Sequence, residues 1–259
     1  NPGKTFVAAS ENYVISGLNI KASNIKIFNL SMLPYKSTKI FVTVSGDDIH
    51  FVNSTIDAKK QGSVYGGWWV YGDNFHLVDS NFSNMRNTTS ASGAAVVISG
   101  SAKGYHLAGN TIKSVLNASG DKATNRANPF WIKGGTDSKG TRIPSGGGYI
   151  VNNFAQEAQS NGAREDSDFL TFQTHGSYEQ LVRVFGNRFI DAGKRFVKVQ
   201  SPGIKVLSNN IKWDAVNGPF KTYKRVHVLS LQSGFQDNFV ARNNRIYNSN
   251  DRNWTIIFS

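Results

Sequence analysis

The stretch VSGDDIHFVNSTI, residues 44–56, returns in modified form along most of the chain. Its second half, IHFVNSTI, defines an eight-residue template: apolar, polar, two apolar residues, a turn former, two polar residues and a last apolar residue. Further copies begin at Ile25, Phe75, Tyr105, Val182, Ile204 and Phe239, and a copy one residue short begins at Tyr149. Successive copies start 22 to 44 residues apart, so we interpret the chain as repeats of about 22 residues that carry insertions.

A second apolar run precedes most copies and completes the repeat unit. These runs are FVTVS from Phe41, WWVYG from Trp68, AVVIS from Ala95, FWIKG from Phe130, FLTFQ from Phe169, FVKVQ from Phe196 and VLSLQ from Val228. Apolar residues at the first, second and fourth places predict short β-strands with one buried face. Asparagine at the corners tolerates a left-handed backbone and bonds its neighbours. A propeller blade needs about 40 to 45 residues, so the repeat predicts a parallel β-helix instead.

The pattern resembles the right-handed parallel β-helix family with the pectate-lyase-like fold. That family includes polysaccharide lyases, some glycoside hydrolases and the receptor-binding tailspikes of bacteriophages, and the stretch KRFVKVQSPGIKVLSNNI is similar to fibrous tailspike sequences. The resemblance covers residues 13–259. It implies an all-β solenoid in which residues 1–259 form one elongated domain with long loop insertions. Because this scaffold carries several unrelated activities, the resemblance selects none of them.

The composition favours an anionic partner. The formal net charge is +12 and the sequence pI is about 9.8, yet the chain has no helix-turn-helix, zinc-ligand or RNA-binding motif. We expect an acidic polysaccharide and no nucleic acid, with a basic surface that has no single target as the alternative. The chain has no cysteine, which excludes disulfides and a cysteine nucleophile.

The ends of the sequence suggest part of a longer protein. It opens on NPGKTF without a signal peptide and closes on WTIIFS without a cap for the solenoid. No apolar run reaches the ~18 residues that cross a bilayer. We therefore expect a fragment of an extracellular protein, or of a virion tail if the source is a phage, with no membrane insertion.

The insertion AQEAQSNGAREDSD holds the candidate catalytic carboxylates. Glu165, Asp166 and Asp168 lie within four residues of one another and lead into the run FLTFQ, after which His175 follows. Paired carboxylates serve as acid and base in glycosidic cleavage. Lys198 could neutralise a sugar carboxylate or act as the base of a lyase. A hydrated acidic turn and a polar strand face are the alternatives.

Basic, amide and aromatic side chains supply candidate contacts to a sugar chain. Two polar insertions flank FWI, and long loops on a rigid solenoid often bind ligands, although disordered excursions would have the same composition. An exposed indole stacks on a sugar ring, whereas a buried one only packs. In the adjacent pair Trp68 and Trp69, one ring must face outward. The substrate-binding candidates are Trp68, Trp69, Trp131, Lys122, Arg126, Lys139, Arg142, Arg195, Gln173, Gln200 and Gln232.

Three sets of residues are expected to point outward. The second template position gives a basic column: Lys26, His50, His76, His106, Arg183 and Lys205. The fourth position gives a largely apolar column: Phe28, Val52, Val78, Ala108, Val151, Phe185, Leu207 and Arg242. The third and fifth places of the later runs give Thr171, Gln173, Lys198, Gln200, Ser230 and Gln232. Because an exposed apolar column needs a cover, we expect a homotrimer with parallel solenoid axes.

Three functions stay open on the sequence alone. The first is a tailspike-type depolymerase that binds an acidic capsular or exopolysaccharide and cleaves its glycosidic bonds. The second is a secreted lyase that acts by β-elimination on a uronate polymer, with Lys198 or Arg195 taking the proton. The third is a carbohydrate-binding spike without catalysis. We expect no cofactor; the resemblance implies calcium for a lyase, but no cluster of Asp and Glu across adjacent repeats supplies such a site.

Overall fold

The computed structural model describes most of the chain and shows an all-β protein. The described residues are 4–7, 17–33, 40–58, 66–87, 93–117, 127–136, 138–143, 145–160, 167–173, 181–213, 226–231, 238–248 and 254–258. Every regular element in these ranges is a strand. Within them, no helix has the length and apolar character needed to cross a membrane.

The strands are short and recur at nearly regular intervals along the chain. In chain order they are β1 (Lys4–Val7), β2 (Leu18–Ile20), β3 (Ile25–Phe28), β4 (Ser31–Met32), β5 (Ile40–Val44), β6 (Ile49–Val52), β7 (Thr55–Asp57), β8 (Gly66–Val70), β9 (His76–Val78), β10 (Asn81–Asn87), β11 (Gly93–Ile98), β12 (His106–Ala108), β13 (Thr111–Asn117), β14 (Ala127–Lys133), β15 (Gly135–Thr136), β16 (Arg142–Ile143), β17 (Tyr149–Val151), β18 (Phe154–Ser160), β19 (Asp168–Gln173), β20 (Val182–Phe185), β21 (Arg188–Ala192), β22 (Arg195–Val199), β23 (Ile204–Leu207), β24 (Asn210–Trp213), β25 (Val226–Leu231), β26 (Val240–Arg242), β27 (Arg245–Asn248) and β28 (Trp254–Phe258).

Three parallel sheets run along the solenoid, and each full turn of the chain adds one strand to each sheet. Sheet A has the order β1-β3-β6-β9-β12-β17-β20-β23-β26, sheet B the order β2-β5-β8-β11-β14-β19-β22-β25-β28, and sheet C the order β4-β7-β10-β13-β18-β21-β24-β27. β15 and β16 form an antiparallel hairpin between sheets B and A. The chain is a right-handed parallel β-helix, as the repeat predicted.

The template copies stack in register in sheet A. Lys26 pairs with His50 and His50 with His76, and the other strands continue the same columns. The short copy lacks only its first residue, because Tyr149 pairs at the second position and Gly148 precedes it. A Cβ at Gly148 would lie 2.2 Å from the ring of Tyr105, so glycine is required beside this buried tyrosine.

Two runs of sheet B are shifted by one residue from the predicted alignment. Trp68 and Phe130 occupy the second place of the run, where Val42 stands in an earlier turn. Gly67 and Pro129 hold the first place, and the apolar pattern did not count them. As a correction, Trp69 and Trp131, the residues that follow them, take the outward third place.

Inward side chains of the three sheets form one continuous apolar core. Aromatic rings meet from turn to turn: the ring centroid of Phe51 lies 6.2 Å from that of Trp68. Further along, the centroid of Phe169 lies 5.5 Å from that of Phe189 and 5.4 Å from that of Phe196. Each turn is therefore stabilised mainly by its two neighbours, as in other solenoids.

The corner between sheets A and C has the same backbone in the eight turns in which both of its strands are described. Two residues separate the strands each time, and the first has a left-handed backbone, as in Asn53 with φ 51° and Asp79 with φ 47°. Asparagine and aspartate tolerate this conformation better than most residues. In the later turns the second residue is always asparagine, and we call these five residues the asparagine ladder: Asn110, Asn153, Asn187, Asn209 and Asn244.

Side-chain amides of the asparagine ladder bond each turn to the next. Nδ2 of Asn187 donates to the carbonyl of Ile150 at 2.8 Å and to Oδ1 of Asn209 at 2.9 Å. Its Oδ1 accepts from the backbone N–H and from Nδ2 of Asn153, both at 2.9 Å. The same contacts recur from Asn110 onward, so the ladder satisfies buried polar groups and fixes the stacking of the turns.

The connections on either side of sheet B vary in length. Those from sheet C to sheet B range from two residues, Gly193 and Lys194, to the twelve residues 214–225. Those from sheet B to sheet A range from four residues to the fifteen residues 134–148. Since variable connections on a rigid scaffold commonly carry function, sheet B is the face on which a site is expected.

Candidate functional site

Two columns of side chains cover the outer face of sheet B. The first column lies at the beginning of the strands and contains Ala94, Asn128, Asp168, Arg195 and His227. The second lies three residues later and contains Trp69, Val97, Trp131, Thr171, Lys198 and Ser230. We call their polar members the sheet B cluster: Asn128, Asp168, Thr171, Arg195, Lys198, His227 and Ser230. Charged members are buried although they lie outside the core, with Asp168 0%, Arg195 4% and Lys198 4% exposed.

Asp168 and Arg195 form a buried ion pair between β19 and β22. Nε of Arg195 donates to Oδ1 of Asp168 at 2.6 Å, and Nη2 donates to Oδ2 at 3.2 Å. Oγ1 of Thr171 donates to the same Oδ2 at 3.1 Å, and the backbone N–H of Asp168 donates to Oδ1 of Asn128 at 3.3 Å. The bidentate contact fixes the plane of the guanidinium group. Because both carboxylate oxygens accept hydrogen bonds from the protein, Asp168 suits the positioning of Arg195 better than proton donation to a substrate.

Lys198 lies in the second column, three residues after Arg195 in the same strand. It stands in register with Thr171 and Ser230, so these three residues form one column of the sheet. All three are nevertheless buried, with Thr171 0% and Ser230 2% exposed. Lys198 and the ion pair of Arg195 with Asp168 therefore lie on the same sheet, one column apart.

The second column becomes apolar and aromatic toward the earlier turns. Trp131 is 7% exposed and packs with Val97 and the half-buried Trp69 in a small cluster separate from the core. Nε1 of Trp131 donates to Oε1 of Gln173 at 3.1 Å, and Nζ of Lys133 lies 5.2 Å from a ring centroid of Trp131. Indole, amide and ammonium groups therefore meet beside the polar cluster, and this combination can bind a sugar ring.

Trp68 packs in the core instead of on this face. It is 1% exposed, and its ring centroid lies 6.2 Å from that of Phe51 and 6.1 Å from that of Phe82. The prediction that one of the two adjacent tryptophans faces outward is confirmed, and the outward one is Trp69. Trp68 is therefore corrected from a binding candidate to a core residue, because successive strand residues point to opposite sides.

The other described candidates lie at the far ends of the sheet B strands. Gln200 directly follows β22, is 8% exposed, and its backbone N–H donates to the carbonyl of Phe172 at 2.9 Å. Lys139 is exposed in the turn of the β15–β16 hairpin, and Arg142 belongs to β16. The remaining candidates fall outside the described residues: Lys122, Arg126, Glu165, Asp166, His175 and Gln232.

Sequence reasoning missed Asn128 and His227 as members of the site. Asn128 is fully buried, and its Nδ2 has no hydrogen-bond partner in the described part of the chain. A pattern could have revealed both residues, because a polar residue precedes the inward pair in NPFWI, DFLTF, RFVKV and HVLSL. Stacking these four segments brings Asn128, Asp168, Arg195 and His227 into one column.

A calcium ion does not fit the described part of this site. Within the described ranges, no group of three or more His, Asp or Glu side chains could hold a metal ion. The carboxylate of Asp168 is already bonded to Arg195 and Thr171, whereas calcium takes six to eight oxygen ligands.

No protein-family model matches the chain, and a search of curated proteins finds no relative. The relation to other parallel β-helices therefore rests on the fold.

Proposed function

We propose that this protein binds and cleaves an acidic polysaccharide, such as a bacterial capsular or exopolysaccharide, on the outer face of sheet B. The observation that carries the proposal is the burial of Asp168, Arg195 and Lys198 on the solvent side of a sheet. Burying charges is costly even when they are paired, and such groups concentrate at functional sites. We therefore assign the sheet B cluster to function rather than to the stacking of the turns.

The surroundings of the sheet B cluster suit a sugar polymer. The half-buried Trp69 lies in the same column as Lys198 and offers an indole surface for stacking, and the buried Trp131 packs between them. The net charge of +12 attracts a polyanion. An extracellular depolymerase of the tailspike type, on a virion tail if the source is a phage, is the assignment that this combination favours.

Among the described residues, the geometry supports β-elimination on a uronate polymer. Arg195, held by Asp168, would bind the carboxylate of the uronate, and Lys198 would act as the base that takes the proton next to that carboxylate. The electron pair of the broken C–H bond then forms a C=C bond while the glycosidic C–O bond breaks. The departing oxygen takes up a proton, so each cut yields one unsaturated end.

Hydrolysis is the second candidate reaction, because the sequence holds three carboxylates within four residues. It needs an acid and a base on two carboxyl groups. Since Asp168 is bonded to Arg195 and Thr171, these two groups would be Glu165 and Asp166, which precede it by three and two residues. In that case water adds across the broken bond and no unsaturated end forms.

Incubation with a panel of purified capsular polysaccharides and polyuronates tests the proposal. Size-exclusion chromatography should show that one polymer is shortened, and ultraviolet absorbance of the new ends separates elimination from hydrolysis. We expect Lys198→Gln to lower the rate by at least about 100-fold, the typical contribution of a general base. Lys103→Gln, the same change at an exposed corner lysine, is the matched control and should keep the parental rate.

Two outcomes would count against this function. If the parent protein shortens no anionic polysaccharide but binds one, it is a carbohydrate-binding spike. If Lys198→Gln and Lys103→Gln cleave equally well, the catalytic centre lies outside the sheet B cluster.

A further inference from the structure

The outer face of sheet A presents a row of cationic and aromatic side chains that the proposed site does not use. The row occupies the second template position in seven consecutive strands, and we call it the sheet A ladder: Lys26, His50, His76, His106, Tyr149, Arg183 and Lys205. All seven are half-buried or exposed. Neighbouring strands lie about 4.8 Å apart, so the ladder offers one side chain per turn along the solenoid axis.

Ring contacts order the middle of the sheet A ladder. The rings of His50 and His76 are stacked with centroids 4.2 Å apart and an angle of 3° between their planes. His76 and His106 meet edge to face at 5.6 Å, and His106 meets Tyr149 in the same way at 6.1 Å. The guanidinium carbon of Arg183 lies 5.7 Å from the ring centroid of Tyr149. These contacts hold the ladder in place before any ligand binds, which lowers the entropy lost on binding.

The outward columns of the described sheet A strands carry positive charge at both ends, at Lys26 and at Arg183, Lys205 and Arg242. Neither outward column of these strands contains an acidic residue, because the fourth position is apolar except for Arg242. The nearby corner carboxylates bond to backbone: Oδ1 of Asp47 accepts the N–H of Asp73 at 2.8 Å, and Oδ1 of Asp73 accepts the N–H of Lys103 at 2.7 Å. Asp48 lies beside the two stacked histidines as the remaining negative neighbour.

We propose that the sheet A ladder is a second binding surface for an extended anionic polysaccharide that runs parallel to the solenoid axis. Lys26, Arg183 and Lys205 would bind carboxylates of the polymer, while the exposed ring of Tyr149 and the apolar column offer surfaces to sugar rings. The polymer class rests on the proposed function, whereas the surface is separate from the sheet B cluster. Such a surface would hold a long chain on the protein between successive cuts.

A second copy of this protein fits the ladder less well. Face-to-face contact of two sheet A ladders would bring like charges together, which is unfavourable at an interface. An anionic polymer instead neutralises the charges of Lys26, Arg183 and Lys205. Self-association through this face is therefore an outcome that the experiment must be able to detect.

Charge reversal of the ladder tests the inference. The triple variant Lys26→Glu, Arg183→Glu, Lys205→Glu is compared with the control Arg86→Glu, Lys113→Glu, Arg245→Glu, which makes the same charge change on exposed residues of sheet C. Binding of long polygalacturonate is measured by calorimetry, with dextran as the neutral polymer and native mass spectrometry for the oligomeric state. We expect the ladder variant to lose at least about tenfold in affinity and the control to lose less than threefold. Circular dichroism verifies folding, and the milder Arg183→Gln, Lys205→Gln variant replaces any variant that does not fold.

The outcomes of the test separate the two proposals. Weaker polymer binding by the ladder variant, with cleavage of short fragments retained, supports a second surface. Equal weakening in both variants shows only a general charge effect and overturns the inference, while cleavage by the parent leaves the proposed function intact. A changed oligomeric state with unchanged polymer binding identifies the face as a contact between copies and also overturns it. If the parent cleaves nothing but the ladder variant alone loses binding, the proposed function fails and this inference stands.

Discussion

The asparagine ladder and the sheet B cluster are both columns of buried polar side chains, but they are built differently. In the ladder, the same residue occurs in successive turns and each amide bonds its own copy, as Asn187 bonds Asn153 and Asn209. In the cluster, every turn contributes a different residue, and opposite charges meet as Asp168 and Arg195. Repetition of one self-complementary residue indicates a structural role, because it serves each turn equally. A column of unlike charged residues occurs at one place along the solenoid, as is expected of a functional site.

The largest expected effect is the loss of one partner of the buried ion pair. Asp168→Ala should lower the free energy of unfolding by about 3–5 kcal/mol, because it removes the carboxylate that balances the buried guanidinium charge of Arg195. Denaturant unfolding followed by circular dichroism measures the change. The double variant Asp168→Ala, Arg195→Met should recover most of the loss, since no buried charge is then left alone. A double variant as unstable as the single one would show that the pair is not the source of the effect.

Removal of one member of the asparagine ladder should have the next largest effect. Asn187→Ala deletes the buried amide that bonds Ile150, Asn153 and Asn209, so we expect a loss of roughly 3 kcal/mol from the polar groups left without partners. The free energy of unfolding measures it. Asn210→Ala, at an exposed position one residue after the corner, should change stability by no more than about 0.5 kcal/mol. Similar losses in both variants would contradict a special role for the ladder.

The left-handed residue of the same corner should matter less. Asn53 has φ 51° and its Nδ2 donates to Oδ1 of Asn29 at 2.7 Å on the exposed side of the corner. Asn53→Ala should lower the free energy of unfolding by about 1 kcal/mol, because alanine is strained in this conformation. Asn53→Gly should cost less than Asn53→Ala because glycine adopts positive φ readily. The reverse order of the two variants in thermal unfolding would rule out backbone strain as the cause.

The smallest expected effect is a pH dependence that arises from the sheet A ladder. Burial, followed by the repulsion of Lys26 on His50 and of both neighbouring rings on His76, lowers the pKa of both histidines below 6.5, and Asp48 opposes this only in part. Above pH 6.5 the rings are neutral in the folded and the unfolded chain, so they add no pH dependence. As the pH falls through 6.5, the unfolded chain binds protons first, and the free energy of unfolding must decrease.

Substitution of the stacked histidines isolates this contribution. In the variant His50→Gln, His76→Gln, the decrease of stability between pH 7 and pH 5 should be smaller than in the parent, as measured by denaturant unfolding at each pH. An anionic polymer on the ladder should oppose the effect by favouring the charged rings. Identical slopes for parent and variant would exclude the histidines as the source.

The local sequence pattern specifies the β-helix, the columns of sheet A and the chemistry of the corner. Period-two alternation places Lys26, His50 and His76 outward, because their neighbours are apolar. In a turn of two residues, few residue types can replace asparagine at the left-handed position. Gly67 and Pro129 interrupted the apolar pattern, and for that reason the alignment of two sheet B runs was one residue wrong.

The stacking of the turns, and not the local pattern, sets which residues of sheet B are buried and which of them meet. Alternation tells on which side of a strand Lys198 lies, but its burial depends on contacts beyond its own strand. Asp168 and Arg195 are 27 residues apart in sequence and become neighbours because one full turn of the solenoid separates them. The length of that turn depends on its insertions, which no local period encodes. The site therefore depends on the stacking of the turns, while the strands themselves depend on the local sequence.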